Sequence, residues 1–308
     1  MKSEKISEQI TAELKQITGA DHVIEDAPMS KYTSFRAGGK ADLLVSVSSR
    51  EELQQVLRLL CAEDIPHMIL GNGSNILVRD GGYRGVMVRI GGAFDRMRIE
   101  DHTLVCGSGV SLAMAAKAAA NASLSGLEFA SGIPGSVGGG VFMNAGAYGG
   151  ELKNILKNAV LLTGDGQAFA NANAEELEMG YRHTRLHESG EIVVEAAFEL
   201  EPGDPKEILA VMADLTARRN EKQPVTYPSA GSFFKRPEGY FAGKLIQDAG
   251  LKGLSVGGAQ VSQLHSGFII NTGGATATDI LQLMQIVQAR VLDQFGVLLE
   301  PEVRIIGE

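Results

Sequence analysis

Cysteine is nearly missing from this chain of 308 residues: only Cys61 and Cys106 occur. They lie far apart in apolar contexts, LLCAE and TLVCG, and form no Cys-x-x-Cys pair. That argues against a disulfide framework and against a zinc site, and two buried thiols in a reducing compartment are expected. Long apolar runs are missing too. The opening MKSEKISEQITAELKQ is charged throughout, and no stretch reaches the length of a signal-peptide core or a membrane span. A soluble, cytoplasmic protein with no membrane partner is the expectation. Basic residues are in deficit, 28 Lys and Arg against 37 Asp and Glu, and the net charge of −9 argues against a nucleic-acid surface. It leaves room for a local basic pocket around a phosphorylated ligand. No internal repeat or low-complexity tract is present, and the length suits two domains, or three small ones.

What the chain has in quantity is glycine. Nine of its 38 glycines fall within residues 126–151, GLEFASGIPGSVGGGVFMNAGAYGGE, among Ser131, Pro134, Ser136 and Asn144 rather than among charges. Such a run is not a solvated linker. It is either an ordered cradle whose backbone amides can approach an anion, or a set of tight turns at a crowded packing site. A second small-residue loop, Gly71, Asn72, Gly73, Ser74 and Asn75, lies between apolar stretches and joins two strands. A Rossmann loop would open a helix, and no helical period follows here. A phosphate at this loop would be held by backbone amides and by the side chains of Ser74 and Asn75.

Around these loops the periodicity predicts an amphipathic helix over 3–18, with Ile6, Ile10, Leu14 and Ile17 on one face. A strand leads to a helix opened by Ser49 and Glu52, and strands near 86–90, 96–99 and 103–106 lead to an alanine-rich helix starting at Ser111. Residues 155–162 and 191–200 read as strands. Asp204, Pro205 and Glu207 open a helix running to about 219. Residues 220–240 change composition and are either a linker or a functional loop; Phe233 and Phe234, which look buried, favour the loop. A helix over 241–249, strands in VGGAQVS and SGFIINTG, and a long helix capped by Thr276 and stopped by Gly296 follow. A last strand is expected over 298–306.

Several polar residues are candidates for chemistry. Arg182, in GYRHTR, could grip a carboxylate bidentately or be an ordinary surface arginine. Ser232, in AGSFFKRP, has no Gly-x-Ser-x-Gly elbow and no histidine partner pattern, which disfavours a serine hydrolase. A rigid, mostly dry hydroxyl that donates a proton or a hydrogen bond is the sharper reading. Glu302 lies on a strand near Glu300, and pattern alone does not choose between them. His183 and His187 have helical spacing but lack the glutamate of a zinc protease, so no metal is expected. Lys222, Lys235 and Arg236, close in sequence to Arg218 and Arg219, form either a solvated face or a diphosphate clamp.

Seven segments occur in order from residue 30 onward: YTSFRAGGKADLLV, ILGNGSNILVRDGGYRG, the 126–151 run, GYRHTR, PSAGSFFKRP, GLSVGGAQVSQLHSGFIIN and LEPEVRIIGE. Together they resemble the UDP-N-acetylenolpyruvoylglucosamine reductase family, flavoenzymes of peptidoglycan precursor synthesis. The N-terminal half is also similar to FAD-binding domains of the vanillyl-alcohol-oxidase type. The resemblance implies an α+β fold in three parts: FAD-binding subdomains over 1–85 and 86–219, and a substrate-binding domain over 220–297. The strand within 298–308 is expected to return to the first. It implies FAD, NADPH as hydride donor, and the enolpyruvyl group of UDP-N-acetylglucosamine enolpyruvate reduced to UDP-N-acetylmuramate. No histidine occurs in the loop 71–75 or just after it, so the flavin should be non-covalent. A monomer is expected.

The resemblance also distributes roles. Ser232 matches the proton donor, and Arg182 and Glu302 match the pair that stabilises the enolate-like intermediate; the glutamate can help as an acid only if its surroundings raise its pKa. FAD contacts would come from Gly71, Asn72, Gly73, Ser74, Asn75, Ser131, Gly132, Pro134, Gly135, Gly138, Gly139, Asn144 and Gly146. Substrate contacts would come from Tyr148, Arg218, Lys222, Lys235 and Arg236. Two departures stand out. The path from Arg182 to Arg218 leaves no room for the tyrosine-bearing insertion of one form of the family, and Arg236 stands where other members have asparagine. The alternatives are a flavin oxidase of the same FAD-binding superfamily and a non-catalytic nucleotide-sugar sensor.

Overall fold

The computed structural model describes residues 6–308. Its chain divides into two compact units: residues up to Glu25 with Leu43–Asn72 and Gly85–Arg218, and Asp26–Asp42 with Gly73–Arg84 and Arg219–Glu308. The boundaries at 25/26, 42/43 and 84/85 fall inside strands, so each unit is assembled from separated pieces of sequence.

In the first unit the opening helix is Glu8–Thr18, capped by Ser7, whose hydroxyl accepts from the Ile10 amide. Residues 3–5 of the expected helix lie outside the described residues. Ile10 and Leu14 are buried in one apolar cluster with Leu53, Val56, Leu57 and Leu60 of the helix Arg50–Ala62 and with Leu43, Val45, Val86 and Val88 of neighbouring strands. The Ser49 hydroxyl accepts from the Glu52 amide, as its position before the apolar run requires. Cys106 is buried, but Cys61 is exposed: it follows the buried stripe 53, 56, 57, 60 by one residue and so turns outward. The expectation of two buried thiols is corrected at that position.

A second cluster of this unit lies on a five-stranded antiparallel sheet, in the order Phe169–Ala172, Leu156–Leu162, Ile192–Glu199, Thr103–Gly107, Met97–Glu100. The edge strand Phe169–Ala172 escapes the sequence reading because only Ala172 of the four is buried, so no apolar alternation marks it. The helices Leu112–Asn121 and Val137–Phe142 contribute Leu112, Ala115, Ala116, Val137 and Val141 to the same cluster as Leu104, Ala196 and Phe198. The helix Pro205–Lys222 begins where Asp204 accepts from the Lys206 amide at 2.8 Å, and only its Ile208 is buried.

The second unit has a three-stranded antiparallel sheet, Ser255–Val256, Ala259–Val261 and Ile269–Asn271, against the helix Ala277–Phe295. That helix has the full capping box of Thr276 and Asp279 and stops at Gly296 with φ 68°. The last strand is shorter than expected. Only Arg304–Ile306 is laddered, parallel to Ile76–Val78, while residues 300–302 make separate bonds to the segment carrying Ser232. Pro301, which has no amide hydrogen, lies within that stretch. The architecture is α+β, with helices and largely antiparallel sheets in both units.

Candidate active site

In the first unit the glycine-rich segment is ordered, and it contains an element that its composition argues against. Three glycines in six residues cost helix propensity, roughly 1 kcal/mol each relative to alanine. Val137–Phe142 is nevertheless helical, because Ser136 caps it by accepting from the Gly139 amide and because Val137, Gly140 and Val141 are buried. Two of the glycines sit in close quarters. A Cβ on Gly138 would lie 2.8 Å from the Ser108 Cβ, and one on Gly140 would lie 3.0 Å from Leu112. Likewise a Cβ on Gly71 would collide with the Ser136 hydroxyl, so the loop at 71 touches the residue that caps the glycine-rich helix. At these positions the segment is closely packed.

The segment and the Ser108 turn packed against it also offer unused polar groups. The hydroxyls of Ser131 and Ser108 are buried and have no hydrogen-bond partner. Ser108 is 3% exposed and its carbonyl accepts from the Gly138 amide at 2.9 Å. The strand expected near 103–106 says nothing of Ser108; the Gly-Ser-Gly immediately after it is the signal in the sequence. Gly132, Pro134 and Gly135 are part-buried or exposed along the turn before the helix, and Gly139 is exposed on the helix itself. Asn144 behaves differently. It is 0% exposed, its amide donates to Glu151 at 3.0 Å and to the Gly180 carbonyl at 2.9 Å, and its carbonyl oxygen accepts from the Lys153 amide. Both of its amide hydrogens are committed inside the protein, so it braces the segment and ties it to the residues just before Arg182.

Arg182 itself has φ 52°, a left-handed conformation it shares with Asn144, Tyr148 and Glu178 nearby. Its guanidinium donates to the Gly146 carbonyl at 3.2 Å and lies 5.2 Å from the Tyr181 ring centroid. Arg182 and Gly146 are thus brought together. Tyr148, two residues on, is exposed and also left-handed at φ 53°. His183 and His187 stack with ring centroids 5.5 Å apart, and the His187 Nδ1 lies 2.9 Å from the Thr184 carbonyl. Among the described residues no group of three or more histidines, cysteines or carboxylates is arranged to hold a metal.

In the second unit four bonds clamp the segment that carries Ser232. The Ser34 hydroxyl donates to the Ser229 carbonyl at 2.6 Å, and the Phe233 amide donates to the Gly267 carbonyl at 2.8 Å. The Glu302 amide donates to the Phe233 carbonyl and the Lys235 amide to the Glu300 carbonyl, each at 2.8 Å. Phe233 and Phe234 are buried, and Phe233 meets Phe35 edge-on at 6.1 Å. Ser232 is exposed, so the dry hydroxyl expected there is instead a solvent-facing one on a rigid backbone. Glu302, half-buried, is linked onward: its carbonyl accepts from the Asn75 side chain at 3.1 Å, and the Asn75 carbonyl accepts from the Arg304 amide at 3.0 Å. The loop 73–75, Glu302 and the Ser232 segment are therefore one bonded assembly. Gly73 is required in it by φ 62° and by the Tyr32 carbonyl, which lies where a Cβ would be. Gly267 is in turn set by His265, whose Nδ1 accepts from the Gly267 amide at 3.1 Å; burial, with Lys252 nearby, holds that imidazole below its ordinary pKa.

The basic residues do not form one cluster of equivalent charges. Arg218 is paired with Asp214 at 2.8 Å on one helix face, and Lys222 is exposed. Lys235 lies 3.6 Å from Glu300, and Arg236 stacks on Phe241. In the second unit, Asn220, Gln223, Tyr227, Gln260 and Leu264 line a groove of about 210 Å³, and none of the four basic residues is among its lining.

With this geometry in place, comparison with known proteins is direct. Residues 41–170 match the family model described as FAD binding domain, and residues 223–306 match UDP-N-acetylenolpyruvoylglucosamine reductase, C-terminal domain. A UDP-N-acetylenolpyruvoylglucosamine reductase of Alkaliphilus oremlandii is 49% identical over 295 residues, covering 96% of this chain and 97% of that one. The crystal structure of the UDP-N-acetylenolpyruvylglucosamine reductase of Thermus caldophilus superposes with a TM-score of 0.79 at 38% identity, covering 92% of this chain and 98% of that one. An alkyldihydroxyacetonephosphate synthase shares the fold over 66% of this chain and 42% of its own, with a TM-score of 0.51 at 15% identity. The residues present fit FAD: the unpartnered hydroxyls of Ser108 and Ser131 are buried beside closely packed backbone within the matched span, where a polar ligand would satisfy them. The chain belongs to the UDP-N-acetylenolpyruvoylglucosamine reductase family of FAD-dependent oxidoreductases.

Proposed function

We propose that this protein reduces the enolpyruvyl group of UDP-N-acetylglucosamine enolpyruvate to give UDP-N-acetylmuramate in the cytoplasm, as a monomer, with NADPH as the reductant and FAD bound non-covalently. The observation that carries the reading is the bonded assembly of Asn75, Glu302 and the Ser232 segment, because it holds an acid-bearing side chain and a hydroxyl on one rigid support. Residues 71–75 and 131–146 hold the cofactor through backbone amides and through Ser74, Ser108 and Ser131. FAD, when bound, supplies the hydride that reaches the methylene carbon of the enolpyruvyl group. The Ser232 hydroxyl delivers a proton to the adjacent carbon, so the carbon–carbon double bond becomes a single bond. Its exposure lets solvent return that proton. Arg182, anchored on Gly146, stabilises the charge that develops on the substrate carboxylate, and Glu302 assists it. Tyr148, Arg218, Lys222, Lys235 and Arg236 bind the nucleotide-sugar end. The working division is two cofactor subdomains over 1–85 and 86–219 and a substrate domain over 220–297.

Ser232→Ala separates the half-reactions. Reduction of the enzyme by NADPH transfers no proton to substrate carbon and should proceed at nearly the wild-type rate. Reoxidation by the enolpyruvyl substrate should slow by about 10⁴-fold or more, the upper end of general acid catalysis. Ser232→Cys, which still carries a transferable proton, should retain more. Rapid-mixing absorbance measurements decide it; wild-type reoxidation in the alanine variant would remove Ser232 from the mechanism.

A further inference from the structure

Two tight turns of the first unit are tied to one buried side chain. The first is a hairpin, in which Gly150 pairs with Ala147 and Glu151 with Gly146, and its loop residues Tyr148 and Gly149 have φ of 53° and 89°. In the second, Gly180 and His183 pair across Tyr181 and Arg182. The Gly180 amide donates to the His183 carbonyl at 3.0 Å, and the His183 amide to the Gly180 carbonyl at 3.3 Å. Arg182 takes the second loop position at φ 52°, where glycine or asparagine is the usual residue. A residue with a side chain keeps that conformation only when its surroundings hold it there. Two contacts do so. The Arg182 guanidinium donates to the Gly146 carbonyl of the hairpin at 3.2 Å, and the Thr184 hydroxyl, just past the turn, donates to the Phe142 carbonyl at 2.8 Å.

Asn144 joins the two turns. It is 0% exposed; its Nδ2 donates to the Glu151 carboxylate at 3.0 Å and to the Gly180 carbonyl at 2.9 Å, and its Oδ1 accepts from the Lys153 amide at 2.9 Å. Because Glu151 is the strand partner of Gly146, the contacts close a ring. It runs from Asn144 to Glu151, across the hairpin to Gly146, on to the Arg182 guanidinium, and from the base of the Arg182 turn back to Asn144. A primary carboxamide supplies the two donors and the acceptor that this position uses. An ionised aspartate would have no donor. An apolar residue would take this partner away from Gly180, Glu151 and Lys153 at once, which is costly where water is excluded.

We propose that Asn144 is a positioning residue for the reaction: by holding the Arg182 turn against the hairpin, it sets where the guanidinium meets the charge that develops on the substrate carboxylate. This rests on the reading of Arg182 as the group that stabilises that charge. The test uses enzyme saturated with FAD, its bound flavin recorded by absorbance, and rapid mixing that follows reduction by NADPH and reoxidation by the enolpyruvyl substrate separately. The variants are Asn144→Ala, Glu151→Ala, Glu151→Gln, Arg182→Ala and the Asn144→Ala, Arg182→Ala double variant. Asn144→Ala should slow reoxidation at saturating substrate about 10- to 100-fold, since a displacement of about 1 Å suffices for the upper figure. Reduction by NADPH, which builds no charge on a substrate carboxylate, should change much less. Glu151→Ala frees one arm of the ring and should slow reoxidation about 2- to 5-fold, whereas Glu151→Gln, which keeps an acceptor for the Asn144 amide, should restore most of it. This pair, at a part-buried residue, carries the test if Asn144→Ala does not fold. Once Arg182 is alanine, Asn144→Ala should add nothing. Wild-type reoxidation in Asn144→Ala, or equal slowing of both half-reactions, would overturn the proposal. So would a loss that persists undiminished without Arg182, since the asparagine would then be acting on the fold or the flavin. If Arg182→Ala itself reoxidises at the wild-type rate, the reading of Arg182 fails; if only the Asn144 and Glu151 variants do, that reading stands and the positioning role falls.

Discussion

At the scale of single residues, neighbours along the chain have different fates. Burial, reinforced by Glu195, pushes the Cys106 thiol up to about 12, so it should stay protonated and unreactive in the native protein. Cys61 is exposed; partial burial of the thiol and nearby Asp165 raise its pKa as well, but it remains accessible. A disulfide-exchange reagent at mildly alkaline pH should therefore titrate one thiol in the folded protein, slowly, and two after denaturation. Two fast thiols in the native state would contradict the packing. The basic residues also differ from one another, since Lys235 is partly neutralised by Glu300 while Lys222 is exposed. Charge reversal at Lys222, Lys235 or Arg236 should raise substrate KM more than it lowers kcat. Steady-state kinetics with unchanged KM in all three variants would return them to the status of surface charges.

At the scale of elements, the helix Ala277–Phe295 depends on a residue far from it in sequence. Asp80 accepts from the Ala277 amide at 2.9 Å, the Thr278 amide at 2.7 Å and the Thr278 hydroxyl at 2.6 Å, which satisfies donors that the helix's first turn cannot pair internally. Burial alone would raise its pKa, but the bonds from Thr278 and Ala277 outweigh that and hold it below the ordinary carboxylate value. A lowered folded pKa means that the stabilisation is fully present above the unfolded value, near pH 4, and is lost as acid carries the pH down through the folded value. Asp80→Ala should cost about 1–2 kcal/mol near neutral pH, a figure kept low because solvent reaches the carboxylate. In denaturant titrations that deficit should shrink below about pH 4. A deficit independent of pH would mean that the residue acts through packing rather than charge. The capping box, the Ser49 and Ser111 caps and the Gly296 stop are all legible in sequence because each is a local rule obeyed within four residues. Asp80 is not, because its partners lie 197 and 198 residues away.

At the scale of the whole molecule, the bound cofactor should be part of the folded state's stability. The purified protein should show flavin absorbance, or acquire it on reconstitution, and FAD should raise the unfolding free energy by about 2.7 kcal/mol at a hundredfold excess over its Kd. Thermal scans with and without FAD measure this, and a colourless chain that FAD neither colours nor stabilises would refute the flavoenzyme reading. The sequence by itself determined the α+β class, the order of the strongly periodic elements, the caps, the burial of Phe233 and Phe234, and the family, through seven motifs in order. These depend on local periodicity, on capping chemistry and on residue types at fixed spacing, which survive without knowledge of the fold. The tertiary structure decided the rest. It turned Ser232 outward, committed the Asn144 amide to Glu151 and Gly180, left Ser108 and Ser131 unpartnered, and made a helix of VGGGVF despite its glycines. It bonded Asn75 to Glu302 across 227 residues. Each of these is set by which distant backbone groups and apolar side chains come to lie against the segment, and no window of local sequence carries that information.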